Sequence, residues 1–195
     1  MKVFFTAPYS GSEVFGEYYK AIYNYVESLG YHQVDNEAVM INYEEYVKKM
    51  SESREVQFTH FKKKIDSIQS ADICVIEVST HSLGTGFIIQ RALAIGKPTI
   101  ALYYKDNTPF FINGIQDEKL IVKSYDDNNY KKVIREALNL AREKRDKRFN
   151  FFLSPKLLNY VEDTSRDMGV TKSKLLRDMI VSHMRENKVE DIDEF

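Results

Sequence analysis

Two short stretches rich in glycine and hydroxyl residues carry the clearest chemistry in this chain. Ser82-Leu83-Gly84-Thr85-Gly86 puts two glycines and two hydroxyls where a helix is expected to begin, and Ser10-Gly11-Ser12 repeats the arrangement after the first apolar run. Glycines let backbone N–H groups approach a ligand closely, and a helix start favours an anion, so both stretches suit a phosphate. With the preceding Pro8 and Tyr9, the candidate phosphate-binding residues are Pro8, Tyr9, Ser10, Gly11, Ser82, Gly84, Thr85 and Gly86. Among the carboxylates, Glu77 ends an apolar run and is the first candidate acid, with Glu13, Glu37 and Glu55 behind it. Each has a plainer alternative: Glu77 can hydrogen-bond its own loop, and Glu55 suits the solvated face of a helix. His32, His60, His81 and His183 show no ligand spacing, so no metal site and no cofactor are expected. The single cysteine, Cys74, lies inside Ile73-Cys74-Val75-Ile76 and reads as a small buried hydrophobe.

Around these residues apolar strands alternate with amphipathic helices. The patterning predicts strands over residues 2–7, 72–78, 99–104 and 120–123, and helices over 14–29, 53–70, 87–95 and 127–144. Such alternation implies a parallel sheet covered by helices on both faces. Ligands in these sheets sit at the carboxyl ends of the strands, which points to the loops 8–13 and 79–86.

Net charge is −1 over 195 residues, which says nothing about nucleic acid, but its distribution is uneven. Residues 142–188 hold twelve Lys or Arg against seven Asp or Glu, whereas residues 1–141 hold sixteen against eighteen. Residues 189–195 then add four carboxylates and no base, the composition of a solvated acidic tail. No apolar run approaches a membrane span, and Met1-Lys2-Val3-Phe4-Phe5-Thr6-Ala7 lacks the length and flanks of a signal peptide. A cytoplasmic protein with no membrane partner is expected.

Residues 148–184 read as a strand, a helix, a glycine-marked turn and a second helix. In the strand, Phe149, Phe151 and Leu153 share one face while Arg148, Asn150 and Phe152 share the other. Ser154-Pro155 supplies an N-cap and an N1 proline, Gly169 ends the first helix, and Thr171 caps the second. A unit of about 37 residues buries too little apolar surface to fold alone, and its strand needs a partner. A second copy would answer both needs, so at least a dimer through the 148–153 strand is expected. The segment resembles the ribbon-helix-helix family of DNA-binding proteins, whose two-stranded ribbon enters the major groove. That resemblance implies that Arg148, Asn150 and Phe152 face duplex DNA and that Thr171, Lys172, Ser173 and Lys174 bind a backbone phosphate. The alternative is a dimerisation hairpin that touches no DNA.

A second resemblance covers residues 2–140. Ser70-Ala71-Asp72-Ile73-Cys74-Val75-Ile76-Glu77-Val78-Ser79, then Ser82-Leu83-Gly84-Thr85-Gly86-Phe87 and Arg91-Ala92, with the opening Thr6-Ala7-Pro8-Tyr9, resembles the nucleoside 2-deoxyribosyltransferase superfamily. Its deoxynucleoside monophosphate N-glycosidase branch is the nearest. The resemblance implies a flavodoxin-like parallel sheet, an oligomer, and a pocket that holds a nucleotide or other phosphate-bearing small molecule on the Ser82 to Gly86 loop. Family enzymes place a nucleophilic glutamate two residues after the second loop glycine, where this chain has Ile88, and a sugar-orienting aspartate where it has Lys64. Glycosidic cleavage ordinarily uses two carboxylates, so both substitutions imply binding without catalysis, with Glu77 as the fallback acid.

The expected organisation is an α/β domain over 1–144, a ribbon-helix-helix module over 145–187 and an acidic tail over 188–195. The leading functional expectation is a DNA-binding transcriptional regulator whose catalytically degenerate nucleotide pocket acts as sensor. The alternative is a nucleoside or nucleotide N-glycosidase, or a deoxyribosyltransferase, whose C-terminal module serves oligomerisation. An antitoxin-like protein that uses the α/β domain for protein contacts fits the same residues.

Overall fold

The computed structural model describes residues 1–145 and 151–187. The larger of two compact units spans Met1–Leu93 and Lys97–Arg145. It contains β1 (Lys2–Thr6), a 3-10 turn (Tyr9–Gly11), α1 (Ser12–Ser28), β2 (His32–Gln33), α2 (Glu37–Met40), α3 (Tyr43–Met50) and α4 (Arg54–Ser70). There follow β3 (Ile73–Glu77), α5 (Leu83–Ala94), β4 (Thr99–Tyr104), α6 (Phe110–Asn113), β5 (Leu120–Tyr125) and α7 (Tyr130–Glu143).

The sheet is wholly parallel in the order β2-β1-β3-β4-β5, the flavodoxin-like arrangement. Its central strands are apolar in both phases because both faces are covered. Val3, Phe5, Ile73, Val75, Ile100 and Leu102 join Tyr19, Ile22 and Val26 of α1 and Ile134, Leu138 and Ala141 of α7 in one core. The alternate set, Phe4, Cys74, Ile76 and Ala101, is equally buried, and α4 packs against β1. Cys74 is enclosed, and burial pushes its thiol up to about 12, which leaves it protonated and inert.

Three differences from the sequence reading matter for the site. β2 is only two residues long and carries no readable alternation, yet it brings Asp35 and Glu37 to the carboxyl edge of the sheet. α2 and α3 then fold over that edge. α5 begins at Leu83, four residues before the expected start, so Gly84 and Gly86 belong to the helix rather than to a loop. Ser82 sets this boundary: its Oγ accepts the Thr85 N–H at 3.3 Å, the pattern of an N-cap.

The second compact unit contains α8 (Pro155–Asp167) and α9 (Lys172–Glu186). Ser154 caps α8 and Thr171 caps α9 through the Leu157 and Lys174 N–H groups. Between them Gly169 takes a φ of +64°, the left-handed turn that only glycine adopts cheaply. Of the expected ribbon strand, Phe151 to Leu153 have no regular secondary structure, while Arg148 and Asn150 lie outside the described residues, as does the acidic tail. The ribbon is therefore not seen: a strand is defined by its ladder, and a single chain supplies only one side of it.

Candidate functional site

The strand order reverses between β1 and β3, and a cavity opens at that point, outside the carboxyl ends of both strands. Its volume is about 270 Å³, near the lower end for small-molecule sites. Pro8, Tyr9 and Ser10 line it from the loop after β1, and Ser82, Gly84 and Thr85 line it from the start of α5. Ile88 and Lys64, the two positions where the family resemblance implied carboxylates, line it too.

The remaining two predicted residues stand slightly apart. Gly86 faces a second, larger cavity of about 800 Å³, walled largely by Leu83, Phe87, Phe110, Phe111 and Ile115, which shares His81, Ser82 and Thr85 with the first. Gly11 is buried, and a Cβ there would overlap Tyr19 Oη and Thr80 Oγ1. It serves close packing of the β1 loop against the β3 loop, so the two walls of the site approach each other.

Beneath the smaller cavity lies a cluster of charges that the sequence left scattered. Lys64 of α4 extends to Asp35 Oδ2 at 2.7 Å and to Glu37 Oε2 at 3.2 Å, and all three residues are buried. Lys63 adds a contact to Asp35 at 3.3 Å, and Lys49 of α3 one to Glu37 Oε1 at 2.7 Å. His60, one turn before Lys64, stands with Nδ1 3.2 Å from Glu37 Oε2. Burial pushes the Asp35 carboxyl up, but Lys64, the Glu37 N–H and Lys63 together outweigh it and the group is held below its ordinary range. His60 is the largest influence on Glu37, which with Lys49 and Lys64 holds that carboxyl far below the usual range against its own burial. Both stay ionised.

Tyr9 and Tyr46 form the aromatic rim. Their rings stack at 4.1 Å with an interplanar angle of 7°, and His60 meets the Tyr46 ring edge-on at 5.6 Å. Burial and then the Glu37 charge push the Tyr9 hydroxyl well above its ordinary value, so it remains a proton donor.

Glu77, the fallback acid, does not reach either cavity. It is fully enclosed, with Ser79 donating to it through N–H at 3.2 Å and through Oγ, and Tyr125 donating at 3.0 Å. Desolvation pushes it up to about 7 despite these donors. Its role is to hold the start of the β3 loop. Glu13 and Glu55 do not line the smaller cavity, whereas Glu37 lies directly beneath it, against Lys64 and His60. Not read as site residues from the sequence were Asp35, Tyr46 and His60. For Asp35 the short run Tyr31-His32-Gln33-Val34 after Gly30 was the available signal, because α/β order demands a strand there.

Of the residues implied for DNA, Thr171, Lys172 and Lys174 are engaged within their own unit. Lys172 Nζ pairs with Glu162 at 2.6 Å, Lys174 with Asp178 at 3.3 Å, and Thr171 Oγ1 accepts the Lys174 N–H. Ser173 is exposed in the first turn of α9, and Phe152 is fully exposed. Among the described residues no group of three His, Cys, Asp or Glu could hold a metal ion, and no helix is long and apolar enough to cross a membrane.

No family model matches the chain. A protein of Thermofilum pendens named as a 2'-deoxynucleoside 5'-phosphate N-hydrolase is 33% identical over 135 residues, 65% of this chain and 87% of the relative. The 5-hydroxymethyl-dUMP N-hydrolase of Rattus norvegicus is 43% identical over 47 residues, 24% of this chain and 28% of the relative. The solved structure of a Clostridium botulinum CMP N-glycosidase, BcmB, aligns over 72% of this chain and 99% of its own, at 20% identity and a TM-score of 0.47. These relatives overturn the expectation of a DNA-binding regulator, and they give no support to a domain without catalysis. Lys64 and Ile88, where the family resemblance implied carboxylates, line the cavity together with His60, and Glu37 contacts both Lys64 and His60. The chain belongs to the 2'-deoxynucleoside 5'-phosphate N-hydrolase family, within the nucleoside 2-deoxyribosyltransferase-like superfamily.

Proposed function

We propose that this chain hydrolyses the N-glycosidic bond of nucleoside 5'-monophosphates. The observation that carries this reading is the 33% identity to an N-hydrolase over most of that relative's length, in a chain whose sheet opens a cavity at its switch point. The phosphate sits at the start of α5, where Ser82 Oγ and the first free N–H groups meet the positive end of the helix. Ser10 closes the opposite wall, and the sugar lies beside Ile88 and Lys64. Chromatographic measurement of free base released from a panel of deoxynucleotides, ribonucleotides and the matching nucleosides tests the reading. Monophosphates should be cleaved and unphosphorylated nucleosides spared, and Ser82→Ala should raise KM about tenfold, the cost of roughly one hydrogen bond to a charged group. Absence of base release from every nucleotide would overturn it.

The catalytic domain in this reading is 1–144, and residues 145–187 form a dimerisation module of ribbon-helix-helix type. Leu157, Met168, Met179 and Ile180 support that second assignment, since α8 and α9 leave them exposed. A dimer by light scattering, converted to monomer by Ile180→Glu, is the expected result. A monomeric wild type would remove the module.

A further inference from the structure

Three buried side-chain atoms of the site lack an aligned hydrogen-bond partner: Tyr9 Oη, Glu37 Oε2 and His60 Nδ1. Buried polar groups seldom stay without such a partner in folded proteins, and here His60 Nδ1 faces Glu37 Oε2, an oxygen that Lys64 also ion-pairs at 3.2 Å. His60 Nδ1 is 3.2 Å from Glu37 Oε2, within reach but off line. A small ring rotation on ligand binding would align them, as catalytic hydrogen bonds often tighten only in the substrate complex.

The elements hold this pair in place from both sides. Glu37 cannot move far, because Lys49 and Lys64 grip its two oxygens at 2.7 Å and 3.2 Å. The His60 ring is wedged against the Tyr9 and Tyr46 rings at 6.2 Å and 5.6 Å. His60 also lines the cavity that holds Ile88, Ser82 and Thr85. In the tautomer whose Nδ1–H is directed at Glu37, the ring nitrogen that carries the lone pair is Nε2.

We infer that His60 is the general base of this chain's hydrolytic reaction and that Glu37 positions it, replacing the work of the absent carboxylates at 64 and 88. The inference rests on the hydrolase reading above. In the step, His60 Nε2 takes a proton from water as its oxygen bonds to the anomeric carbon. The bond from that carbon to the base nitrogen breaks, its electron pair leaves with the base, and the base takes up a proton from solvent. The imidazolium then returns its proton to bulk water. Ile88 cannot form a glycosyl intermediate, so water attacks directly and the sugar configuration inverts.

The test is His60→Ala, with His60→Gln as a second variant that keeps a polar side chain, each compared with wild type in base release and in nucleotide affinity. General-base catalysis is worth about 100-fold or more, so kcat should fall by at least that factor while nucleotide Kd changes less than about threefold. Free imidazole in the buffer should restore activity to His60→Ala but not to His60→Gln, a response no structural role produces. Wild-type kcat in either variant would overturn the inference, as would a loss in His60→Ala, with nucleotide binding intact, that imidazole leaves unchanged. An active wild type with an equally active His60→Ala removes only the base assignment. A wild type that releases no base removes the hydrolase reading and this inference together.

Discussion

Glu37 and Glu77 are both buried glutamates at the carboxyl edge of one sheet, and their surroundings drive them in opposite directions. Glu77 is enclosed among hydroxyls, with Ser79 and Tyr125 as donors, so desolvation wins and it sits at about 7. Glu37 has His60, Lys49 and Lys64 around it, so the charged form wins. Burial alone therefore predicts neither protonation state; the chemistry of the partners decides. The contrast also separates support from function, because the hydroxyl-bound acid is sealed off while the cation-bound one underlies the cavity.

The strongest way to break this contrast is to remove the cation. Lys64→Met leaves Asp35 and Glu37 as a buried like-charged pair, and chemical denaturation should show a loss of about 3 to 5 kcal/mol. Adding Asp35→Asn should recover a good part of that loss. If the single variant is as stable as wild type, the cluster is not held by its charges.

Acid–base titration of stability sharpens it next. Glu77 moves from 4.5 to about 7 on folding, so the folded state binds its proton more tightly. Its contribution is complete below pH 4.5 and is lost as pH rises through about 7, a decline of about 3 kcal/mol at the limit. Asp35 and Glu37 are shifted down, so their contribution is present above the ordinary carboxylate range and is lost as pH falls below that range towards their lowered folded-state values. Stability should thus slope in opposite directions on the two sides of about pH 4.5, and Glu77→Gln should flatten only the upper side. An unchanged upper slope in that variant would place its origin elsewhere.

The smallest effect expected is that of Tyr125→Phe. It removes the 3.0 Å hydrogen bond to Glu77 and leaves the ring in the core, for a loss of about 1 kcal/mol at pH 8, where Glu77 is ionised. The loss should shrink at pH 5. A pH-independent loss would mean that packing, not the bond to Glu77, makes the difference.

Much of this arrangement was legible because it is local. The runs around Phe4, Val75 and Ile100 announce buried strands, and the two loops named from strand order do flank the cavity. The charge cluster was not legible, for a physical reason: Asp35 and Lys64 are joined by folding alone, through a two-residue strand and two short helices with no period to read. The glycines at 84 and 86 misled for another reason, since a capped helix start tolerates them as well as a loop does. The ribbon reading asked most of the sequence, because its test needs a second strand from another chain.

The pairing of β1 with β3, Phe4 opposite Cys74 and Thr6 opposite Ile76, has a kinetic consequence. Both walls of the cavity hang from these two strands, which lie some seventy residues apart in the chain. Contacts of such long separation close late and slowly, after the entropy of the intervening loop has been lost. Amide protection of Phe4 to Thr6 should consequently appear in the slowest refolding phase, while the helical signal recovers earlier.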